Sequence, residues 1–545
     1  MAADVVFTGG SVFTGGRSVR SGVAVADGRI VAVAPDEELR ALVGRGTDVV
    51  DLAGGLLTPG FQDAHVHPVF AGALMLLCNL ESSADVAEAV GRVAAYAQAH
   101  PERDWVSGGG WAMEAFPGGR PHREMLDAVV PDRPVYLTNR DGHGAWANTV
   151  ALRLAGVAHG TPDPADGRIE RDDDGEPTGL LHEGAAMLVG RLLPAPTAAD
   201  GRAALLVAQD HLLSLGITAW QDAIVGAYLG RPDNLSTYLD ADAAGELVVR
   251  VVGDLWWDRE RGLEQLDDLR SRRASVPPGR FRATAVKIMQ DGIAENFTAA
   301  MTQPYRDACG CSTGAAGLSF VDPDLLRRAV TALDADGFQI HLHTLGDRAV
   351  REGLDALDAA RSANGVRDSR HHLAHLQVVH PDDVPRFGSL GATATIQPLW
   401  AVHEPQMDEL TIPFLGDGLA ERQYPFADLH AAGAPLAGGS DWAVSSADPW
   451  QGMHVAVNRT PPEAGSTVPP FLPHQALSLE TALTAYTLGS ARVNFLDDVT
   501  GTVEVGKDAD LAVHDRDPFR GTPEGIGQTS VVRTYVQGRL VHQAP

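Results

Sequence analysis

Short apolar runs broken by glycine turns open and close the chain, whereas its middle alternates such runs with stretches of helical spacing. At the start, "DVVFTGGSVFTGG", "GVAVADGRIVAVAP" and "DVVDLAGGLLTPG" read as short strands joined by tight turns, with "ADGRI" a hairpin signal. The end repeats the pattern in "GTVEVGKDADLAVHD" and "VVRTYVQGRLV". Neither piece is long enough for a core of its own. Residues 1–58 plus 498–545 are therefore predicted to complete one small composite β-sandwich.

Between them lie eight strand-like runs: "GLLTPGFQDAH", "GITAWQDA", "LVVRVVGDLW", "RATAVKIMQDG", "GFQIHLHTLGD", "HHLAHLQVV", "GATATIQPLW" and "APLAGGSDWAV". Stretches such as "PDLLRRAVTALDADG" separate several of them with apolar residues at helical spacing. Alternating strands and helices predict an α/β fold, a (β/α)₈ TIM barrel over residues 59–497, with chemistry at the C-terminal ends of the strands. The first two strands are separated by everything from Val69 to Gly216, far more than a crossover needs, so an inserted subdomain is expected at about 70–200. Hanging over the strand ends, it is the place to look for substrate selection.

The strand ends carry the candidate chemistry. The first closes on "DAHVHP", and His65 and His67, two residues apart, face the same way in an extended strand. Later ends supply Lys287, His343, His375 and Asp441. His and Asp suit a borderline divalent ion such as Zn²⁺. Lys287 has three readings: a charge paired with a neighbour such as Asp291, a Schiff-base lysine, or a carbamate bridging two metals. Four histidines and an aspartate nearby make the carbamate the strongest. Only Lys287 and Lys507 are lysine among 43 basic residues, as expected if lysine persists where arginine cannot serve. Lys507, away from this group, is expected to be replaceable by arginine.

Taken together in order, "GFQDAHVHP", "VKIMQDG", "HTLGDRAV", "HLAHLQVV", "GSDWAV" and the closing "GTVEVGKDADLAV" resemble the amidohydrolase superfamily. More narrowly they resemble the amidohydrolase 3 branch of N-substituted formamide deformylases and YtcJ-like hydrolases, and the match includes "RDGHGAWAN" in the insertion. The resemblance implies a hydrolase acting on carbon–nitrogen bonds other than peptide bonds, with two divalent ions, zinc by preference. His65 and His67 would bind the more buried ion, N6-carboxylated Lys287 would bridge, and His343 with His375 would bind the more exposed one. Asp441 would ligate the buried ion and act as general acid/base. A hydroxide bridging two cations has a strongly lowered pKa and is nucleophilic at neutral pH. The family often has Glu before the strand-six histidine, where this chain has Ala374. His341 faces as His343 does, one layer deeper, and is read as supporting the ligands or as core. His371, His372 and His380 read as core or loop residues.

In the insertion, Trp111 and His143 could form an aromatic wall and a hydrogen-bond donor over the substrate, or could pack within the subdomain; Asp291, in the strand-four motif "VKIMQDG", is a third candidate substrate contact. "RDDDGEP" lacks calcium-loop spacing and reads as a hairpin turn. A formal net charge of −28 argues against nucleic acid and anionic membranes as partners, leaving a small-molecule amide. A homodimer is the family expectation. Three cysteines form no disulfide framework, and no apolar run approaches the roughly 18 residues of a membrane span, so the chain reads as cytoplasmic. Two alternatives to the dinuclear hydrolase stay open: a mononuclear metal-dependent deaminase, disfavoured by Lys287, and a metal-free barrel that binds without catalysing.

Overall fold

The computed structural model describes residues 2–81, 83–228, 232–463 and 467–545. Eight strands form one parallel sheet in chain order: β1 (Phe61–Val66), β2 (Ile217–Val225), β3 (Arg250–Trp256), β4 (Phe281–Met289), β5 (Gln339–Thr344), β6 (His372–His375), β7 (Thr393–Ile396) and β8 (Leu436–Gly438). They are the eight apolar runs of the sequence. Side chains inside the barrel and helices outside cover both faces, so every residue of β1, β5, β6, β7 and β8 is buried. The helices follow local rules. Asp322 caps the helix Pro323–Ala335 by accepting the N–H groups of Asp324 and Leu325, Pro323 occupies its first position, and Leu326, Ala329, Val330 and Leu333 line its buried stripe.

The barrel is closed by the segments that carry the candidate ligands. The Asp441 N–H donates to the His65 carbonyl at 2.7 Å, and the His67 N–H donates to the Trp442 carbonyl at 2.9 Å. Asp63 ties the same seam, its Oδ1 accepting the N–H of His65 and of Ser440, each at 3.0 Å. Gly439 is required there, because a Cβ would lie 2.8 Å from that of His65.

The chain ends meet as expected. Leu511–His514 pairs antiparallel with Leu56–Pro59, which runs parallel to Ser11–Thr14. A second sheet of Arg29–Ala34, Gly22–Ala26, Val5–Thr8 and Asp48–Asp51 faces this one across a shared core that includes Phe7, Val23, Leu57, Leu511 and Tyr535. Arg250, at the start of β3, pairs with Asp508 and Asp510 and joins barrel to sandwich. The insertion builds its own six-stranded sheet from strands between Cys78 and Glu183. "RDDDGEP" is a turn there, with Asp172 Oδ1 accepting the N–H groups of Asp174 and Glu176. Among the described residues, no helix is long and apolar enough to cross a membrane.

Candidate metal centre

Strand register brings the predicted residues to one end of the barrel. Lys287 on β4 lies beside His341 on β5, which lies beside His372 on β6, so these three form one level. His343 follows two residues on, and His375 pairs with Thr344 one step beyond. Across the seam, His67 Nε2 and His65 Nε2 stand 3.0 and 3.4 Å from Asp441 Oδ1, and His375 Nδ1 stands 3.8 Å from Asp441 Oδ2. Rings of His65 and His375 are 4.7 Å apart, those of His343 and His375 4.5 Å. All six predicted ligands line one cavity of about 600 Å³.

These side chains are arranged like groups waiting for a cation. Asp441 Oδ1, despite its two histidine neighbours, has no partner in hydrogen-bonding geometry, and both ring nitrogens of His375 lack one although the residue is 1% exposed. Buried polar atoms of this kind each cost about 1–3 kcal/mol unless something meets them. His375 is held by Trp400, stacked on its ring at 5.1 Å, and its own N–H donates to Gln397 Oε1 at 2.8 Å. His375, Leu376 and Asp441 have φ of 78°, 51° and 55°, left-handed backbone that bulky residues adopt at about 1–3 kcal/mol each and that concentrates at functional sites.

The protonation states suit ligation, which requires neutral imidazoles and an ionised carboxylate. Burial, then the neighbouring Lys287 charge, pushes His65 down to about 3. Burial likewise holds His341, His343 and His375 well below the usual range. Burial opposes ionisation of Asp441, yet His65 and His67 keep it well below an ordinary carboxylate. Lys287 is pushed down to about 7 by burial, against the attraction of Asp441 and Asp254.

The remaining candidates divide. His143 lines the cavity, its ring 5.4 Å from that of His343, with Nδ1 at 3.0 and 3.1 Å from the two Glu183 oxygens. Burial works against its charge, but Glu183 pushes it up to about 9. Trp111 is not on the cavity wall. Its Nε1–H donates to the Leu137 carbonyl, and its ring packs against Phe116 and Trp146 in the insertion's core. Asp291 is not on the wall either. It sits behind His343, 3.3 Å from Nδ1, and accepts the N–H groups of Ala300, Leu345 and Gly346. It thus orients a ligand candidate and leaves Nε2 of that ring toward the cavity. Sequence reasoning passed over Asp254 and Asp222. Asp254, on β3, lies 2.5 Å from His341 Nδ1, and Asp222, at the end of β2, lines the cavity and accepts the Tyr238 hydroxyl at 2.6 Å. Each is an acidic residue inside an apolar strand, which was the available signal.

Comparison with known proteins identifies the family. Residues 48–542 match the amidohydrolase family. The chain is 32% identical to Protein LONG AFTER FAR-RED 3 of Arabidopsis thaliana, over 95% of this chain and 88% of that one. It is 28% identical to the N-substituted formamide deformylase of Arthrobacter pascens, over 96% and 94%. Among solved structures, an uncharacterized metal-dependent hydrolase from Pyrococcus horikoshii OT3 superposes with a TM-score of 0.73 at 25% identity, covering 96% of this chain and 99% of that one.

Proposed function

The chain belongs to the amidohydrolase family, and from that premise we propose that it hydrolyses the carbon–nitrogen bond of a small amide, an N-substituted formamide being the first class to try, with two divalent ions. The observation that carries this reading is the buried His375 with both nitrogens unpartnered, in a cavity where His65 and His67 Nε2 stand 3.4 and 3.0 Å from Asp441 Oδ1. His65, His67 and Asp441 would hold one ion, His343 and His375 the other, and Lys287 as a carbamate would bridge. Zinc fits a donor set of imidazole nitrogen and carboxylate oxygen. The depressed Lys287 amine is substantially neutral near pH 7, the form that adds CO₂ and releases a proton.

When bound, the ions would supply Lewis acidity that activates water and polarises the scissile carbonyl. The chain's own groups do the rest. Asp441 would take the proton of the attacking water and deliver it to the departing amine. Asp291 keeps His343 oriented through its Nδ1. The cavity extends beyond the polar floor along Val69, Phe70 and Leu77, an apolar wall suited to a hydrophobic substituent.

The test is metal content per chain by elemental analysis, paired with turnover of an amide panel that includes N-benzylformamide. Two zinc-class ions per chain with turnover of any amide is the expected result. One ion would favour the mononuclear deaminase, and none after purification with added zinc and bicarbonate would make the barrel a binding protein.

A further inference from the structure

Beneath the ligand candidates, the barrel interior is polar where barrels of this type are usually filled by branched apolar side chains. Asp254 and His341 are fully buried, and neither lines the cavity above them. Hydrogen bonds link them to one another and to the residues above and below. Asp254 Oδ2 faces His341 Nδ1 at 2.5 Å. On the far side of that ring, Nε2 meets His65 Nδ1 at 2.9 Å and Lys287 Nζ at 3.4 Å. Below, Gln221 Nε2 donates to Asp254 Oδ1 at 2.7 Å and to Gln339 Oε1 at 3.0 Å, and Gln339 Nε2 donates to the Arg370 and Val493 carbonyls. The chain of contacts thus spans the barrel from the cavity floor to its opposite end.

We propose that Asp254 and His341 form a positioning relay that fixes which nitrogen His65 presents to the metal centre. The Lys287 amine, a donor, faces Nε2 at 3.4 Å, so His341 accepts there and carries its proton on Nδ1, toward Asp254. His65 must then carry its own proton on Nδ1, which leaves the Nε2 lone pair pointing at Asp441 and the site. A histidine ligand oriented through its other nitrogen by a carboxylate is a common support of metal sites. Here a second imidazole extends that support by one link. The nitrogen of Lys287 keeps one hydrogen after carboxylation, so the same His341 lone pair can hold it in either state. These positioning residues touch neither substrate nor reacting atoms.

The same residues do not form an ion site of their own. Asp254, His341 and His372 bring potential ligand atoms within 4.8 Å of one another, but both His341 nitrogens are engaged. The His341 and His372 rings also stack at 3.8 Å with 34° between planes, so their lone pairs do not converge on a point.

The relay rests on the reading that this site holds metal, and its test separates the two. Metal affinity is measured by competition with a chromophoric chelator on the full-length apoprotein, alongside thermal melting of the same apoprotein. Asp254→Ala is expected to weaken metal binding by about 10- to 100-fold, the usual effect of losing such a support. Asp254→Asn, which keeps an acceptor for His341, should recover most of that loss. Should Asp254→Ala fail to fold, His341→Asn serves in its place. It retains a donor toward Asp254 but lacks the acceptor that faces His65, and should weaken binding by the same order. Affinities within twofold of wild type for the folded variants, with only melting lowered, would overturn the relay. A wild-type apoprotein that takes up no zinc would overturn both this inference and the reading beneath it.

Discussion

The chain's two lysines lie in opposite surroundings, Lys287 at the open, C-terminal end of the barrel strands and Lys507 in the sandwich segment against the closed, N-terminal end, where β3 starts at Arg250. At the closed end, Lys507 donates to the Asp497 and Thr500 carbonyls and the Thr502 hydroxyl at 2.8, 3.3 and 2.6 Å. Nearby, Arg250 meets both Asp508 and Asp510. At the open end, Lys287 is 2% exposed, its hydrogen-bonding contact is with a histidine nitrogen at 3.4 Å, and burial pushes its amine down to about 7. His375 and Asp441 beside it carry unpartnered atoms. The charged groups Lys507 and Arg250 at the closed end are met by oxygen acceptors, which is how a fold tolerates them. Those at the open end are held in place without being satisfied, which is how a site awaits a ligand.

The sharpest way to break this contrast is Lys287→Ala. The truncation removes the bridging candidate and leaves a small apolar side chain, so the fold should survive. Activity is expected to fall by about 10³-fold or more, since a metal centre contributes several kcal/mol to the transition state. Bound metal per chain should fall with it. A purified Lys287→Ala protein with undiminished turnover would show that the open end is as structural as the closed one.

An intermediate case is the His143–Glu183 pair, in which His143 lines the cavity with its Nδ1 held by Glu183, and Glu183 also accepts the Thr298 hydroxyl at 2.8 Å. Its two groups shift in opposite directions. His143 holds its proton more tightly when folded, so its contribution is complete below its ordinary 6.5 and is lost as the pH rises through about 9. Glu183 is held down to about 2 against burial, chiefly by His143, so its share is complete above 4.5 and lost as the pH falls through about 2. Glu183→Gln should lower stability by roughly 3 kcal/mol near pH 6, the cost of a broken buried pair. The gap in melting temperature between variant and wild type should close between pH 6.5 and 9. A gap independent of pH would mean that the pair is held by shape rather than charge.

Much of this was legible in the sequence because the barrel repeats one rule. A strand whose apolar run ends in His, Lys or Asp before a turn places that residue at the open end, and β1, β4, β5, β6 and the segment after β8 all obey it. Two limits are physical. Asp254 stood in plain view in "VVGDLW", but its partner His341 lies 87 residues away, and only strand order places β3 and β5 where they share an interior level. Trp111 and Asp291 were singled out for their company in a motif, yet a side chain's direction depends on tertiary packing. Packing turned Trp111 into the insertion's core and Asp291 onto three backbone N–H groups. A motif marks a neighbourhood, whereas the register of neighbouring strands decides which atoms face the cavity.

Lys507 supplies the smallest and most discriminating prediction. Its remoteness from the ligand candidates suggested that arginine could replace it, but the surroundings argue otherwise. Three oxygens surround a compact ammonium whose three donors radiate from one atom, whereas the donors of a guanidinium are spread over three nitrogens in one plane. Lys507→Met should cost about 1.5–3 kcal/mol, the range for hydrogen bonds to a charged group. Lys507→Arg should recover little of that, because its longer fork must displace the loop that supplies the carbonyls. Both variants should bind metal as wild type does, read by melting temperature against metal content in the same preparations. Loss of metal from either would join the two ends of the barrel energetically and dissolve the contrast. A Lys507→Arg protein as stable as wild type would return lysine at this position to chance.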